Sequence, residues 1–138
     1  MIVNGPSQTP QISPIAGSPP PNKPTILVVD DEAPILLLLS TVLKSRYTVL
    51  TAKDSAAANE VLQSAKVDLI MCDNDMTTKG EGIAFSRERP QEIPFILMSA
   101  RLFEDDTAGL PIAIFIRKPF ANLLEIPNTI ERILNPEK

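Results

Sequence analysis

The sequence predicts an α/β domain: a doubly wound, five-stranded parallel sheet between two helical layers, a three-layer αβα sandwich. Two observations carry that expectation. Five short apolar runs rich in β-branched residues recur along the chain, and stretches of helical periodicity separate most of them. A chain of 138 residues, 43% of them hydrophobic, is large enough to bury one core of this kind. Strands that alternate with helices pair in parallel, and right-handed crossovers leave few ways to wind five of them.

Residues 1–24 stand apart. They hold seven of the 14 prolines, no acid and a single base, Lys23. Such a segment buries too little apolar surface to offset its ordering entropy. We expect a disordered proline-rich tail (1–24) ahead of one domain (25–138). "TILVVD" (25–30) is the first strand, apolar on both faces. "EAPILLLLSTVLKSR" (32–46) is the first helix, with Pro34 in its first turn and Ile35, Leu38, Leu39, Val42 and Leu43 on one face. "YTVLTA" (47–52) is the second strand. "SAAANEVLQSA" (55–65) is an alanine-rich helix capped by Asp54 or Ser55. "VDLIMC" (67–72) is the third strand, "GIAFSRER" (82–89) a short helix, and "PFILMSA" (94–100) the fourth strand. "RLFEDDTAGLP" leaves room for only one or two turns of a shortened fourth helix before Gly109 and Pro111 stop it. "IAIFIR" (112–117) is the fifth strand, and "NTIERILN" (128–135) is a helix with Pro127 at its start.

Composition excludes several function classes. The chain has no histidine, which removes Ser-His and Cys-His catalysis and histidine metal sites. Its single cysteine, Cys72, permits no internal disulfide and suits a reducing compartment. No apolar stretch is long enough to span a bilayer, and no leader peptide is evident, so we expect a cytoplasmic protein without a membrane segment. A net charge of −4 with no basic stripe argues against direct nucleic-acid binding.

Ligand crevices in such folds lie at the carboxyl ends of the strands. Asp30 and Asp31 follow the first strand, Asp73 follows the third, Ser99 ends the fourth and Lys118 ends the fifth. Shedding charge into solvent explains any one of these, but poorly explains all of them on one edge. Converging carboxylates repel one another, and a hard dication such as Mg²⁺ relieves that. The metal can hold a phosphoryl group against a carboxylate nucleophile, with a lysine and a hydroxyl on its oxygens. The five residues make a complete set for forming an aspartyl phosphate.

"ILVVDDE", "VDLIMCDNDM", "FILMSA" and "FIRKPF" together resemble the receiver domain of two-component response regulators, a CheY-like, flavodoxin-like fold. The resemblance runs from about Thr25 to Leu134 with all motifs in order. It implies Asp73 as phosphoacceptor and contacts from Ser99 and Lys118 to the phosphoryl group. For the Mg²⁺ cofactor it implies a site of Asp31 (direct), Asp30 (through water), Asp73 and the backbone carbonyl of Asp75. Phe115, three residues before Lys118, matches the aromatic position that swings inward when the phosphoryl group draws in the Ser99 hydroxyl. The implied partners are a sensor histidine kinase or histidine phosphotransfer protein and a downstream protein that the sequence does not identify. The chain departs from the family pattern at Thr77, where a proline is usual, and "TTKGEGIAF" carries an extra residue. The sequence ends four residues after Leu134, so the expectation is a single-domain receiver, not an enzyme, that signals by phosphorylation-dependent protein binding or phosphorelay.

Two other readings compete. "DNDMT" (73–77) fits the Asp-x-Asp-x-Thr motif of haloacid-dehalogenase-type phosphatases, but the order of the acidic pairs and the lysine argues against them. The other is a phosphorylation-independent receiver-like binding module, and the full set of site residues argues against that. Two finer expectations concern the rim. Asp75 and Arg101 carry opposite charges two residues beyond Asp73 and Ser99, and we read them as a gate pair. Leu36 and Leu37 lie off the core face of the first helix, either as a wide buried stripe or as an apolar docking surface for the phosphodonor.

Overall fold

The computed structural model describes residues 23–136. Of the proline-rich stretch only Lys23 and Pro24 are therefore described, and the expectation for residues 1–22 lies outside. The chain runs β1 (Thr25–Val29), α1 (Ala33–Leu43), β2 (Thr48–Ala52), α2 (Ser55–Ser64), β3 (Leu69–Asp73), α3 (Glu81–Glu88), β4 (Phe95–Ser99), β5 (Ile114–Arg117) and α4 (Glu125–Leu134). Between β4 and β5 the expected fourth helix is a single 3₁₀ turn, Glu104–Thr107.

The five strands form one parallel sheet in the order β2-β1-β3-β4-β5. β1, β3 and β4 are buried along their whole length, as continuous apolar runs require. The chain winds outward from β1 to β2, then crosses back to β3 and continues the other way. The topological switch point therefore lies between the carboxyl ends of β1 and β3.

Alternation along the strands builds two cores. Ile26, Val28, Leu69, Met71, Ile96 and Met98 face one side, where Leu39 and Leu43 of α1 and Ile126 and Ile130 of α4 cover them. Leu27, Val29, Ile70, Cys72, Phe95 and Leu97 face the other, beneath Ala58 of α2 and Phe85 of α3. Phe85 and Phe95 meet edge to face with ring centroids 6.0 Å apart.

Helix boundaries differ from expectation for local reasons. α1 ends at Leu43 rather than Arg46, and the Lys44 N–H closes its last turn on Ser40. Asp54, not Ser55, caps α2 and accepts from the Ala57 N–H at 2.8 Å. α4 starts at Glu125, three residues before the expected Asn128. Pro127 sits inside its first turn, where an N–H has no helical partner to lose. Leu36 and Leu37 separate: Leu36 packs against the first core, and Leu37 is 69% exposed.

Candidate functional site

The two-residue period of a strand explains why three charged groups meet. Asp30 continues the series Ile26–Val28, Asp73 the series Leu69–Met71, and Lys118 follows Ile116, all toward the α1–α4 side. Asp73 is the last residue of β3 rather than the first residue after it. Asp30, Asp73 and Lys118 are all buried. Lys118 Nζ lies 3.1 Å from Asp30 Oδ2 and 3.1 Å from Asp73 Oδ1, so one ammonium bridges two carboxylates. Its third acid, Glu32 Oε2, is 3.9 Å away. Asp30 Oδ1 accepts from the Glu32 N–H at 2.9 Å, which turns the chain and leaves Asp31 and Glu32 exposed at the rim. Asp30, Asp31 and Glu32 form one acidic cluster with ligand oxygens within 4.8 Å of one another. Asp73 joins that cluster through Lys118.

The link from β3 to α3 is held closely against the strand end. The Gly82 N–H donates to the Asn74 carbonyl at 2.9 Å, and the Asn74 side chain accepts from the Ile83 N–H at 3.0 Å. A Cβ at Gly82 would lie 2.6 Å from Asn74 Cα and closer still to the Asp73 carbonyl oxygen. Only glycine allows that approach. Asp75 Oδ1 accepts from the Gly80 N–H at 3.1 Å, and Gly80 has φ +78°, a left-handed conformation glycine adopts without strain.

On the β4 side, Ser99 is fully buried and points to the α2–α3 face with Leu97. Its Oγ accepts from the Arg101 N–H at 3.0 Å and the Leu102 N–H at 3.1 Å. Phe115 lies on the same face, half-buried, with Leu102, Leu110 and Ile112 packed around that core. Arg101 Nε is 3.9 Å from Asp75 Oδ2, across the mouth of the site. Beyond it, the Arg117 guanidinium stacks 4.0 Å over the ring of Phe103, which is exposed.

The charges are unequal. Burial pushes the Asp73 carboxyl up to about 6, Asp30 and Asp75 add to that, and Lys118 opposes it. Burial disfavours the Lys118 cation, but its bonds to Asp73 and Asp30 outweigh that and raise its pKa. Five carboxylates (Asp30, Asp31, Glu32, Asp73 and Asp75) face two cations, Lys118 and Arg101, so the crevice carries excess negative charge. The donors at hand are carboxylate and carbonyl oxygens; the thiol of Cys72 is buried and bonds to the Asp73 carbonyl. That donor set fits a hard cation such as Mg²⁺.

The expected residues thus divide into four geometric groups. Asp30, Asp73 and Lys118 touch, Asp31 borders them, Ser99 with Phe115 occupies the opposite face, and Asp75 with Arg101 spans the mouth. Sequence reasoning missed Glu32, Asn74 and Gly82. For Glu32 a signal existed, since it is the third acid of the run "DDE"; for the others, contacts far from their own position in the chain decide the role.

The family model of the response regulator receiver domain matches residues 26–126. The phosphate regulon transcriptional regulatory protein PhoB of Pseudomonas aeruginosa is 36% identical over 106 residues, which are 70% of this chain and 46% of that protein. The chain thus spans less than half the length of that relative. The receiver domain of HemR from Leptospira biflexa, described as non-phosphorylated, superposes with a TM-score of 0.70 at 27% identity, covering 81% of this chain and 94% of that one. The chemotaxis response regulator CheY4 of Vibrio cholerae superposes with a TM-score of 0.71 at 24% identity, covering 81% and 99%.

Proposed function

This chain belongs to the response regulator receiver domain family, and from that premise we propose that it accepts a phosphoryl group on Asp73 and passes the signal on by phosphorylation-dependent protein binding or phosphorelay. Receiver domains are signalling modules that bind Mg²⁺ at an acidic site and interact with histidine kinases or phosphotransfer proteins. The observation that carries the finer reading is the buried trio: Asp73 at the end of a central strand, with Lys118 3.1 Å from both it and Asp30.

An Asp73 oxygen forms the new O–P bond in line as the donor's P–N bond breaks, and the histidine nitrogen leaves with the electron pair. With acetyl phosphate the bond that breaks is P–O, and acetate leaves. Asp31 would hold Mg²⁺ directly, Asp30 through water, and Asp73 with the Asp75 carbonyl would complete the set. When bound, the metal supplies positive charge to the phosphoryl oxygens. Lys118, already against Asp73, pairs with a phosphoryl oxygen after transfer. Ser99 donates its hydroxyl hydrogen to another, and Phe115 takes up the space its movement leaves. Asp75 and Arg101 gate the water that ends the signal. The same reading takes residues 25–138 as the receiver and 1–24 as its tail, and places the protein in the cytoplasm with a kinase or phosphotransfer partner.

Intact-mass analysis after incubation with acetyl phosphate and Mg²⁺ tests this. Wild type should gain one phosphoryl group only with the metal, and Asp73→Asn should gain none. Equal labelling of Asp73→Asn would remove Asp73 as the acceptor. Rapid turnover of a phosphomonoester would instead favour a phosphatase.

A further inference from the structure

The stretch from Asp75 to Gly80 carries the residue that borders both the metal side and the mouth of the site, yet little of it is packed. Met76 is half-buried against the second core, and Thr77, Thr78 and Lys79 are exposed. Its backbone hydrogen bonds are long, Met76 N–H to Thr78 O at 3.4 Å and Glu81 N–H to Thr78 O at 3.3 Å, and the side-chain bond inside it is Gly80 N–H to Asp75 Oδ1 at 3.1 Å. No proline stiffens it.

Glu81 supplies the fixing point from outside the loop. Its Oε2 accepts from both the N–H and the Oγ of Ser55, each at 2.8 Å. Its Oε1 accepts from the N–H and Oγ of Thr78, at 3.1 and 3.4 Å. One carboxylate oxygen therefore serves α2 and the other serves the loop. The location suits an anion, because Glu81 lies in the first turn of α3 and against the first residue of α2, the positive ends of two helix dipoles. Burial opposes its charge, but the bonds from Ser55 and Thr78 win and hold it below the usual carboxylate range. Next to it α2 and α3 leave a groove of about 410 Å³, so no apolar packing substitutes for the tie there.

We propose that Glu81 is a positioning residue: it fixes the 75–80 loop to the start of α2 and thereby holds Asp75 where its carbonyl and carboxylate complete the metal and phosphoryl site. The proposal rests on the receiver reading above. A carboxylate is needed because both of its oxygens must accept. An amide at Glu81 keeps one acceptor and points a donor at the other partner. A shorter acid does not span from Ser55 to Thr78.

The test compares the full chain as wild type, Glu81→Ala, Glu81→Gln and Thr78→Val. Two quantities are read on unphosphorylated protein: amide hydrogen exchange of residues 75–80, and Mg²⁺ affinity by calorimetry. Glu81→Ala should speed exchange across 75–80 while β1, β3 and β4 keep their protection, and should weaken Mg²⁺ binding about tenfold, the usual scale for losing a residue that orients a ligand. Glu81→Gln should fall between wild type and Glu81→Ala. Thr78→Val, which keeps the backbone bond, should have a smaller effect than either. Unchanged loop exchange in Glu81→Ala overturns the proposal. So does faster exchange with unchanged Mg²⁺ affinity, and so does a parallel loss of strand protection, which would mean a merely structural role. Wild type that binds no Mg²⁺ would instead sink the receiver chemistry itself, and this inference with it.

Discussion

On the β3 side of the site, Asp73 is followed by a chain tied at several points: Asn74 to Ile83, Gly82 against the strand end, Asp75 to Gly80, Glu81 to Ser55. On the β4–β5 side, Ser99 is followed by a stretch with one 3₁₀ turn, an exposed Phe103 and a short edge strand whose residues are exposed or half-buried. Both sides open onto the same crevice. On the proposed function, the difference matches the work each side would do. A nucleophile must be held in one geometry, since misplacement by an ångström costs rate. A switch must have two geometries of similar energy, and such elements come from the weakly packed end of a structure.

The strongest way to break this comparison is to force the pinned side apart. In Gly82→Ala the new methyl group would meet backbone atoms of Asp73 and Asn74, which no rotamer change relieves. We expect a loss of about 3 kcal/mol, the upper part of the usual range for overpacking, with loss of acetyl phosphate labelling. Urea denaturation and intact mass read the two. A variant as stable as wild type would show that α3 moves away easily, and the pinned side would not be pinned.

A second test concerns the charge held there. The pKa of Asp73 is about 6 in the fold against 3.8 unfolded, so the unfolded chain releases this proton more readily. The contribution of the group to stability is therefore complete below pH 3.8 and is lost as pH rises through about 6. At about 1.4 kcal/mol per pH unit that rise is worth roughly 3 kcal/mol. Because Asn stays neutral as the protonated acid does, we expect metal-free Asp73→Asn to exceed wild type by roughly 3 kcal/mol at pH 8, with the gap closing toward pH 4. Chemical denaturation at several pH values in a chelator checks it. A gap that grows as pH falls would reverse the sign of the argument.

The two sides were not equally legible in the sequence. The buried runs of β1, β3 and β4 announce themselves, because strands covered on both faces must be apolar throughout. Asp30, Asp73 and Lys118 were legible as strand-end residues, and the period of two explains why they share a face. The reduced fourth helix was legible from the few residues between Ser99 and Lys118 and from Gly109 and Pro111. The pinning was not. Glu81 meets Ser55 across 26 positions in the chain, and the need for glycine at 82 arises only when α3 meets the end of β3. The splitting of Leu36 from Leu37 also escaped, because a run of consecutive leucines hides which edge of the helix stripe turns outward.

On the loose side, effects should be small. Phe103→Ala removes the Arg117 stacking, an exposed contact worth about 0.5–1 kcal/mol. Denaturation midpoints should fall accordingly, with labelling of Asp73 unchanged. A loss of several kcal/mol would mean that the 100–113 stretch is held as firmly as the tied chain after Asp73, and the contrast would fail.

The Arg101–Asp75 contact is where the two sides touch, and it should be the weakest in stability. Its atoms are 3.9 Å apart and the Arg101 side chain is 72% exposed, so solvent screens the pair, and exposed pairs contribute about 0–1 kcal/mol. Its position gives it a larger kinetic role. Asp75 is anchored on the pinned side by the Gly80 N–H, whereas the Arg101 backbone N–H donates to the Ser99 Oγ, the group proposed to move toward the phosphoryl. On that proposal a fixed carboxylate faces a guanidinium carried by the switch. If the pair gates the site, in-line water is excluded while it is closed, and phosphoryl loss should be slow. Arg101→Ala and Asp75→Ala should each speed phosphoryl loss, by about twofold to fivefold if the pair holds the roughly 0.5–1 kcal/mol of an exposed contact at the barrier. The double variant should lose its label little faster than either single one, because both remove the same closure. The unfolding free energy of Arg101→Ala from urea denaturation should stay within about 1 kcal/mol of wild type. Loss rates in Arg101→Ala equal to wild type would mean that the loose side does not close the mouth, and additive effects in the double variant would make the two residues independent.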